Sequence, residues 1–394
     1  MRRGAAIVSW YQAEWNIRRA RLKSRRFWTY SLRFAKITRR ADSEVSPQMK
    51  ASALMVVLLL PPAAHAAPRL RSPWDGKGVK LTNVAYACPA ASHLSPDLTT
   101  DRFYSDSKSS VIDPEKWKAY VESAGPVKKL GQQIVDAADT YRSTGSREAA
   151  ECAIRHMEGA AKDRVFTGKM SSNQAYYVQG WVMGAIAIAY LKVRDSGLIL
   201  PQQERVLLPW IVEVVQQTIH YYDARRQKET GDSQNNHLYW AGVEISAAGI
   251  AANQRKLFDW GLDAYRAGIA AIASDGTLPL EMKRGQRALH YHLFAVSSLV
   301  YLAEFGEDNG LHLYADHHYA IKKLAVLSTG GLIDNRSFAK AAGIAQDTPK
   351  GPPTAEEISW AKIYVARFPD PMMSKLLAQA PSLSYMYLGG LPPG

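Results

Sequence analysis

From Pro114 almost to the C-terminus, apolar residues recur at steps of three and four, the pattern of helices that each bury one face. It predicts helices over 114–142, 147–162, 172–193, 202–222, 237–252, 255–273, 287–304 and 311–327. Strand-type alternation is nearly absent. The breaks carry Gly, Pro, Asp or Asn, as in Ser143-Thr144-Gly145, Gly197 to Pro201, Gly231-Asp232, Asp275-Gly276 and Gly306 to Gly310. Short connections between long helices favour antiparallel neighbours. Eight or more helices of similar length predict an all-α fold, an α/α barrel or toroid, and no fixed-period repeat marks a TPR or HEAT solenoid. Residues 68–113 and 341–357 have loop composition. The polar run from Asp101 to Ser110 is either a surface linker or a mobile flap at about 100–112 over a site.

Charge changes the picture at the N-terminus. The chain of 394 residues carries a net charge of +13, but residues 1–48 hold twelve Lys/Arg against three acids, about +9 of it. A basic arm for nucleic acid or a membrane surface is one reading of that segment. The residues that follow favour another. Met49-Lys50 opens an apolar run, Ala51 to Leu60, and Ala64-His65-Ala66 offers an Ala-x-Ala cleavage site. That is the layout of a secretory signal peptide over 49–66, too short to span a membrane. Translation is therefore expected to begin at Met49, residues 1–48 to be an extension without a functional role, and the mature chain to run from 67 to 394 as one domain in the periplasm or outside the cell, without a nucleic-acid partner. With that destination, Cys88 and Cys152 are expected to form one disulfide; in a cytosolic protein they would be two buried thiols.

Two stretches concentrate chemistry. Asn235-Asn236-His237-Leu238-Tyr239-Trp240 lies where a polar loop becomes a helix, and Asn is a good helix cap. His237 has a plainer reading as a hydrogen-bonded histidine, and Trp240 as core packing. The second stretch, Asp275 to His292, runs from a turn into a helix with Arg284, Arg287, His290, Tyr291 and His292. Arg284, Arg287 and Tyr291 follow i, i+3, i+7 spacing, so a continuous helix would put them on one face. Arginine suits bidentate carboxylate recognition, and nearby cations would favour the Tyr291 phenolate. Asp275 is more simply a turn residue and Glu281 an acid at a helix start. No metal motif is present: His290 and His292 are two apart, His317 and His318 adjoin, and there is no His-Glu-x-x-His. A Gly-x-Ser-x-Gly elbow is also lacking.

Together, Asn-Asn-His-x-Tyr-Trp at 235–240, Leu-Phe-Asp-Trp at 257–260 and Gly-x-Leu-Pro-x-Glu-x-x-Arg-x-x-Arg-Ala-Leu-x-Tyr-His at 276–292 resemble the alginate lyases of polysaccharide lyase family 5, poly(mannuronate) lyases. The resemblance runs from about Cys88 to Gly390. It implies an incomplete α/α toroid, a periplasmic location, no cofactor or metal requirement, and β-elimination on an acidic polysaccharide, alginate or polymannuronate first. It implies catalytic roles for Asn236, His237, Arg284 and Tyr291. Substrate contacts are expected from Lys108, Trp181, Trp240, Arg287 and His290, in a monomer. A broader polyuronate lyase that also cleaves glucuronan or hyaluronan is the nearest alternative, and a noncatalytic polysaccharide-binding module is the alternative of another class.

Overall fold

The computed structural model describes residues 68–348 and 351–394. The basic extension over 1–48 and the leader over 49–66 lie outside the described residues.

Eight long helices follow in order: α1 Pro114–Thr144, α2 Arg147–Lys162, α3 Asn173–Val193, α4 Pro201–Gln227, α5 Asn236–Ala251, α6 Arg255–Ala270, α7 Ala288–Glu307 and α8 Asp316–Ile333. Several of their starts are fixed by side chains that satisfy otherwise orphaned N–H groups. Asp113 accepts from Glu115 N and Lys116 N ahead of α1, Ser146 from Ala149 N ahead of α2, and Ser172 from Ala175 N ahead of α3.

Odd-numbered helices pack on one another in sequence, α1 on α3, α3 on α5 and α5 on α7, and form an inner layer. Even-numbered helices pack outside them: α2 on α1, α4 on α3 and α5, α6 on α5 and α7, α8 on α7. The sequence explains the division. The inner α3, α5 and α7 are apolar nearly all round and buried nearly all round, whereas α2 and α6 confine their buried residues to one stripe. Inner and outer helices meet through small residues: a Cβ on Gly242 of α5 would lie 3.0 Å from Ala264 Cβ and 3.2 Å from Gly261 O of α6. This alternation is the expected α/α toroid arrangement.

Several boundaries differ from the sequence expectation: α8 runs Asp316–Ile333 and not 311–327, with left-handed φ at His317, His318 and Tyr319, and α6 ends at Ala270 and not 273. Helix α4 continues to Gln227 because 223–227 are good helix formers with no apolar period to reveal them. The predicted continuous helix through Arg284 does not exist. Pro279–Met282 forms one turn, Gly285 takes a left-handed φ of 58°, Gly285–Arg287 forms a 3-10 turn, and α7 begins only at Ala288.

Residues 68–113 wrap the outside. Cys88 and Cys152 are joined by a disulfide that ties this segment to α2. Residues 101–112 form an ordered hairpin with a Tyr104–Ile112 bridge, closed by Asp106, whose carboxylate accepts from Ser110 N and Val111 N at 2.8 Å each. These hydrogen bonds hold Asp106 down to about 2, against the opposing effect of burial. The hairpin is seated by Phe103 between Trp117 and Tyr120, with ring centroids at 4.9 and 4.8 Å.

The C-terminal tail is pinned by a buried ion pair. Lys192 of α3 donates to the Asp139 carboxylate of α1, to Gly389 O at 2.6 Å and to Leu391 O at 2.9 Å. Asp139 also accepts from Leu391 N at 2.7 Å and Ser384 Oγ at 3.1 Å. Gly390 sits at φ 94°, where a side chain would collide with the Asp139 carboxylate. Because removing one partner strands the other charge in the core, Asp139→Ala is expected to cost about 3–5 kcal/mol in urea unfolding; a variant as stable as the parent would show that the pair does not hold the tail.

Candidate active site

A cavity of about 870 Å³ opens where the inner helices begin. Tyr177 and Trp181 come from the first turns of α3, His237 from the start of α5, and His290, Tyr291 and Phe294 from the first turns of α7. Three helix N-termini thus face one space, and their dipoles favour an anion there. The remaining wall is Tyr104 of the hairpin, Lys128 of α1, Arg284 and Arg287 of the irregular turn, Glu356, and Tyr385 and Tyr387 of the pinned tail.

Helix α5 is buried along its whole length except at His237. That ring lies flat on Tyr177, with centroids 3.8 Å apart and planes at 16°. Its backbone N–H donates to Asn235 Oδ1 at 3.1 Å, so the expected Asn cap is present. The Nδ1 atom is buried without a protein partner. Burial, then the Arg284 charge, holds His237 down to about 3, so the imidazole is neutral. Tyr177 is fixed from behind by Asp232. That carboxylate accepts from Tyr177 at 2.8 Å, Tyr221 at 3.0 Å and Thr230 at 2.7 Å, and pairs with Arg225 at 2.6 Å.

Tyr291 is 6% exposed, and its hydroxyl lies 2.6 Å from that of Tyr104. The Arg284 guanidinium lies over the Tyr291 ring, 3.6 Å from the centroid, and that of Arg287 is 5.8 Å away. Burial pushes the phenol well above its ordinary value, and Arg284 only partly opposes it. The sequence expectation of a lowered phenol is therefore reversed: desolvation outweighs the cation. His290 is held to about 3 by burial and then by Arg287 and Arg284, and its Nε2 stands 4.0 Å from Glu356.

Of the residues singled out from the sequence, Trp181, His237, Arg284, Arg287, His290 and Tyr291 line the cavity. Trp240 does not. It is 2% exposed, packs on Phe294 at 4.6 Å and donates to Phe294 O, so it belongs to the core. Lys108 is exposed on the hairpin, outside the cavity wall. Asn236 is fully buried one layer behind His237, with Nδ2 donating to Glu281 at 2.9 Å. His292 is structural: Nε2 accepts from Leu278 N at 2.9 Å, and Nδ1 faces Ala288 O at 2.7 Å. Asp275 is the turn residue expected, accepting from Thr277.

Tyr104, Tyr177, Lys128, Glu356, Tyr385 and Tyr387 were not singled out. The available signals were the aromatic pair Phe103-Tyr104 inside a polar run and the Tyr-x-Tyr spacing ahead of Gly389-Gly390. Among the described residues, Cys88, Cys152 and His156 lie close enough to share an ion, but both sulfurs are spent in the disulfide.

His237 and His290 at about 3 and His292 at about 4 sit below the ordinary value of 6.5. The unfolded chain takes up these protons first, so stability is expected to fall as pH drops from about 6.5 toward 4. Histidine proton NMR should show these three rings neutral at pH 5.5. A titration midpoint near 6.5 for any of them would contradict their burial.

The family model for alginate lyase matches residues 97–338. A polysaccharide lyase of Stenotrophomonas maltophilia (strain K279a) is 34% identical over 287 residues, 72% of this chain and 83% of its own. An alginate lyase of Azotobacter vinelandii is 29% identical over 352 residues, 86% of this chain and 92% of its own. The crystal structure of alginate lyase A1-III from Sphingomonas species A1 superimposes with a TM-score of 0.61 at 21% identity, covering 77% of this chain and 87% of that one. A variant of that enzyme complexed with a tetrasaccharide gives a TM-score of 0.65, covering 82% and 88%. On the extent of the family match and the identity to the Stenotrophomonas relative, the chain belongs to the alginate lyase family.

Proposed function

We propose that the chain is a secreted lyase that cleaves 1,4-linked polymannuronate by β-elimination and leaves a 4,5-unsaturated uronate at the new non-reducing end. The observation that carries this reading is the buried Tyr291 hydroxyl, with one guanidinium on its ring and a neutral imidazole on the neighbouring helix. The C5 hydrogen of a uronate is weakly acidic until the C6 carboxylate is neutralised. Arg284 supplies the charge for that, with His237 beside it and Asn236 behind, in a space already biased toward anions by three helix ends.

In mannuronate the C5 hydrogen and O4 lie on the same side of the ring. One group can therefore take the C5 proton and return it to O4 as the C4–O bond breaks. Tyr291 fits this double role. To act as the base Tyr291 first loses its own proton, which passes to solvent as the polymer displaces the Tyr104 hydroxyl. The Arg284 cation favours the resulting phenolate against the opposing effect of burial, and the C5 proton that the phenolate takes is then delivered to O4. In guluronate the two positions are on opposite faces, and His237 would have to be the base. Trp181, stacked on Tyr387 at 5.1 Å, offers an apolar wall for a sugar ring, and Arg287 and His290 flank the carboxylate side.

The Tyr104 hydroxyl occupies the position next to Tyr291, so the hairpin over 101–112 acts as a lid that lifts to admit polymer and excludes water when down. The leader over 49–66 would deliver a mature chain beginning near Ala67 to the periplasm. Among the described residues, no helix is long and apolar enough to cross a membrane.

Ultraviolet absorbance of the unsaturated product is expected to rise on polymannuronate and to fall by about 10²–10⁴ in rate for Tyr291→Phe. Glucuronan shares the arrangement at C4 and C5, so cleavage of it would place the chain among broader polyuronate lyases. Polymer that binds without any rise in absorbance would overturn the lyase reading in favour of a binding module.

A further inference from the structure

The two sequence stretches that build the site meet at one carboxylate that the mechanism above leaves unused. Glu281 is 1% exposed. Its Oε1 accepts both the backbone N–H of Asn236 at 2.8 Å and Asn236 Nδ2 at 2.9 Å, while Oε2 is buried without a protein partner. Burial raises its pKa, with Arg284 and the two Asn236 donors opposing. A carboxylate in this position is costly to keep unless its charge has a use.

A cap at the start of α5 needs only an acceptor, and the Asn235 side chain already satisfies the N–H of His237. Glu281 does more than cap. A carboxylate can only accept, so it forces Asn236 to turn its NH2 group inward and fixes the amide's orientation. Through the backbone, Arg284 N donates to Glu281 O at 3.0 Å, so the turn bearing Arg284 and the helix start bearing His237 are held to the same residue. Arg284 Nε is itself buried without a partner, so the guanidinium is positioned by its turn and by the Tyr291 ring, and only a 3.4 Å contact to Ser109 O restrains it from the hairpin.

We infer that Glu281 is a positioning residue of the elimination site, clamping the Arg284 turn to the Asn236-His237 helix start and moderating the field of Arg284 on the proton-transfer groups. This rests on the lyase reading above. Glu281 does not line the active-site cavity; it borders a separate cavity with Tyr239 and Leu278, so at the site it acts only through its neighbours.

The test compares the full enzyme with Glu281→Gln and Glu281→Asp on polymannuronate, each with a melting curve and a pH profile of kcat/KM. Glutamine keeps the shape and one acceptor but removes the charge, and its own NH2 gives Asn236 an alternative partner. Expected for Glu281→Gln is a fall in kcat of about tenfold or more with KM within about twofold, the pattern of a lost transition-state interaction. The acidic limb of its profile should move down by about half a pH unit, since the uncompensated Arg284 favours the deprotonated base. The direction is the same whether that base is Tyr291 or His237. The other groups facing them, Tyr104, Arg287 and His290 beside Tyr291 and Tyr177, Asp232 and Arg225 beside His237, are unchanged in both variants.

Glu281→Asp keeps the charge but falls one methylene short of Asn236. It should hold the limb at the parent position and still lose kcat, and it serves if the glutamine variant does not fold. A Glu281→Gln variant with parental kcat and limbs, at whatever cost in melting temperature, would make Glu281 a helix cap only and overturn the inference; so would a Glu281→Asp variant with parental kcat. A parent enzyme that forms no unsaturated product would instead defeat the lyase reading itself.

Discussion

A guanidinium lying on the face of a buried phenol is the contact on which the site depends. Arg284 and Tyr291 are brought to 3.6 Å with the hydroxyl left pointing into the cavity. Burial alone would make Tyr291 a poor base and Arg284 a costly charge. Together they give a phenol that is protonated at rest and whose ionised form the cation on its ring stabilises. The local backbone makes the contact possible. Gly285 breaks the chain with a positive φ, so Arg284 folds back over a ring seven residues later instead of following it around a helix.

The toroid supplies what such a contact requires, a rigid and largely dry surround. Inner helices so apolar that they are buried on all sides have fixed positions, and their first turns are the places where polar side chains can emerge. On α5 the emergent residue is His237. The wall is closed on one side by the tail, which the Lys192–Asp139 pair holds against α1 and α3, and on the other by the hairpin, which the Phe103 ring seats beside Trp117 and Tyr120. Elements far apart in the chain thus contribute Tyr104, His237, Tyr291 and Tyr387 to one cavity.

Much of this was legible in the sequence, because period and capping are local properties. The eight helices, the Asn235 cap and the pairing of the two motif stretches follow from residues a few positions apart or from a specific motif, and the disulfide from a chain with two cysteines and the pattern of an export leader. Three kinds of information were not local. Trp240 and Trp181 have the same side chain on similar helices, and only the packing of Phe294 over one and the opening beside the other separates core from wall. Tyr104 sits in a polar run that reads equally as a linker or as a flap over a site, and only the fold shows Asp106 closing that run into a hairpin with Tyr104 against Tyr291. The balance on Tyr291 was read from its cations, but the outcome was decided by desolvation, a property of the assembled cavity. The family resemblance implies a catalytic role for Asn236, which is fully buried with its amide donating to Glu281.

In the proposed reaction a uronate carboxylate meets Arg284 while its C5 hydrogen faces Tyr291. A crystal structure of the Tyr291→Phe variant soaked with a mannuronate tetrasaccharide tests this arrangement most directly. Expected is the carboxylate of one sugar within hydrogen-bond reach of Arg284, about 2.7–3.1 Å, with the same sugar's C5 and O4 on the side of residue 291. A sugar bound with its carboxylate at Lys128 or its C5 turned away from residue 291, and no second sugar in the expected pose, would contradict it.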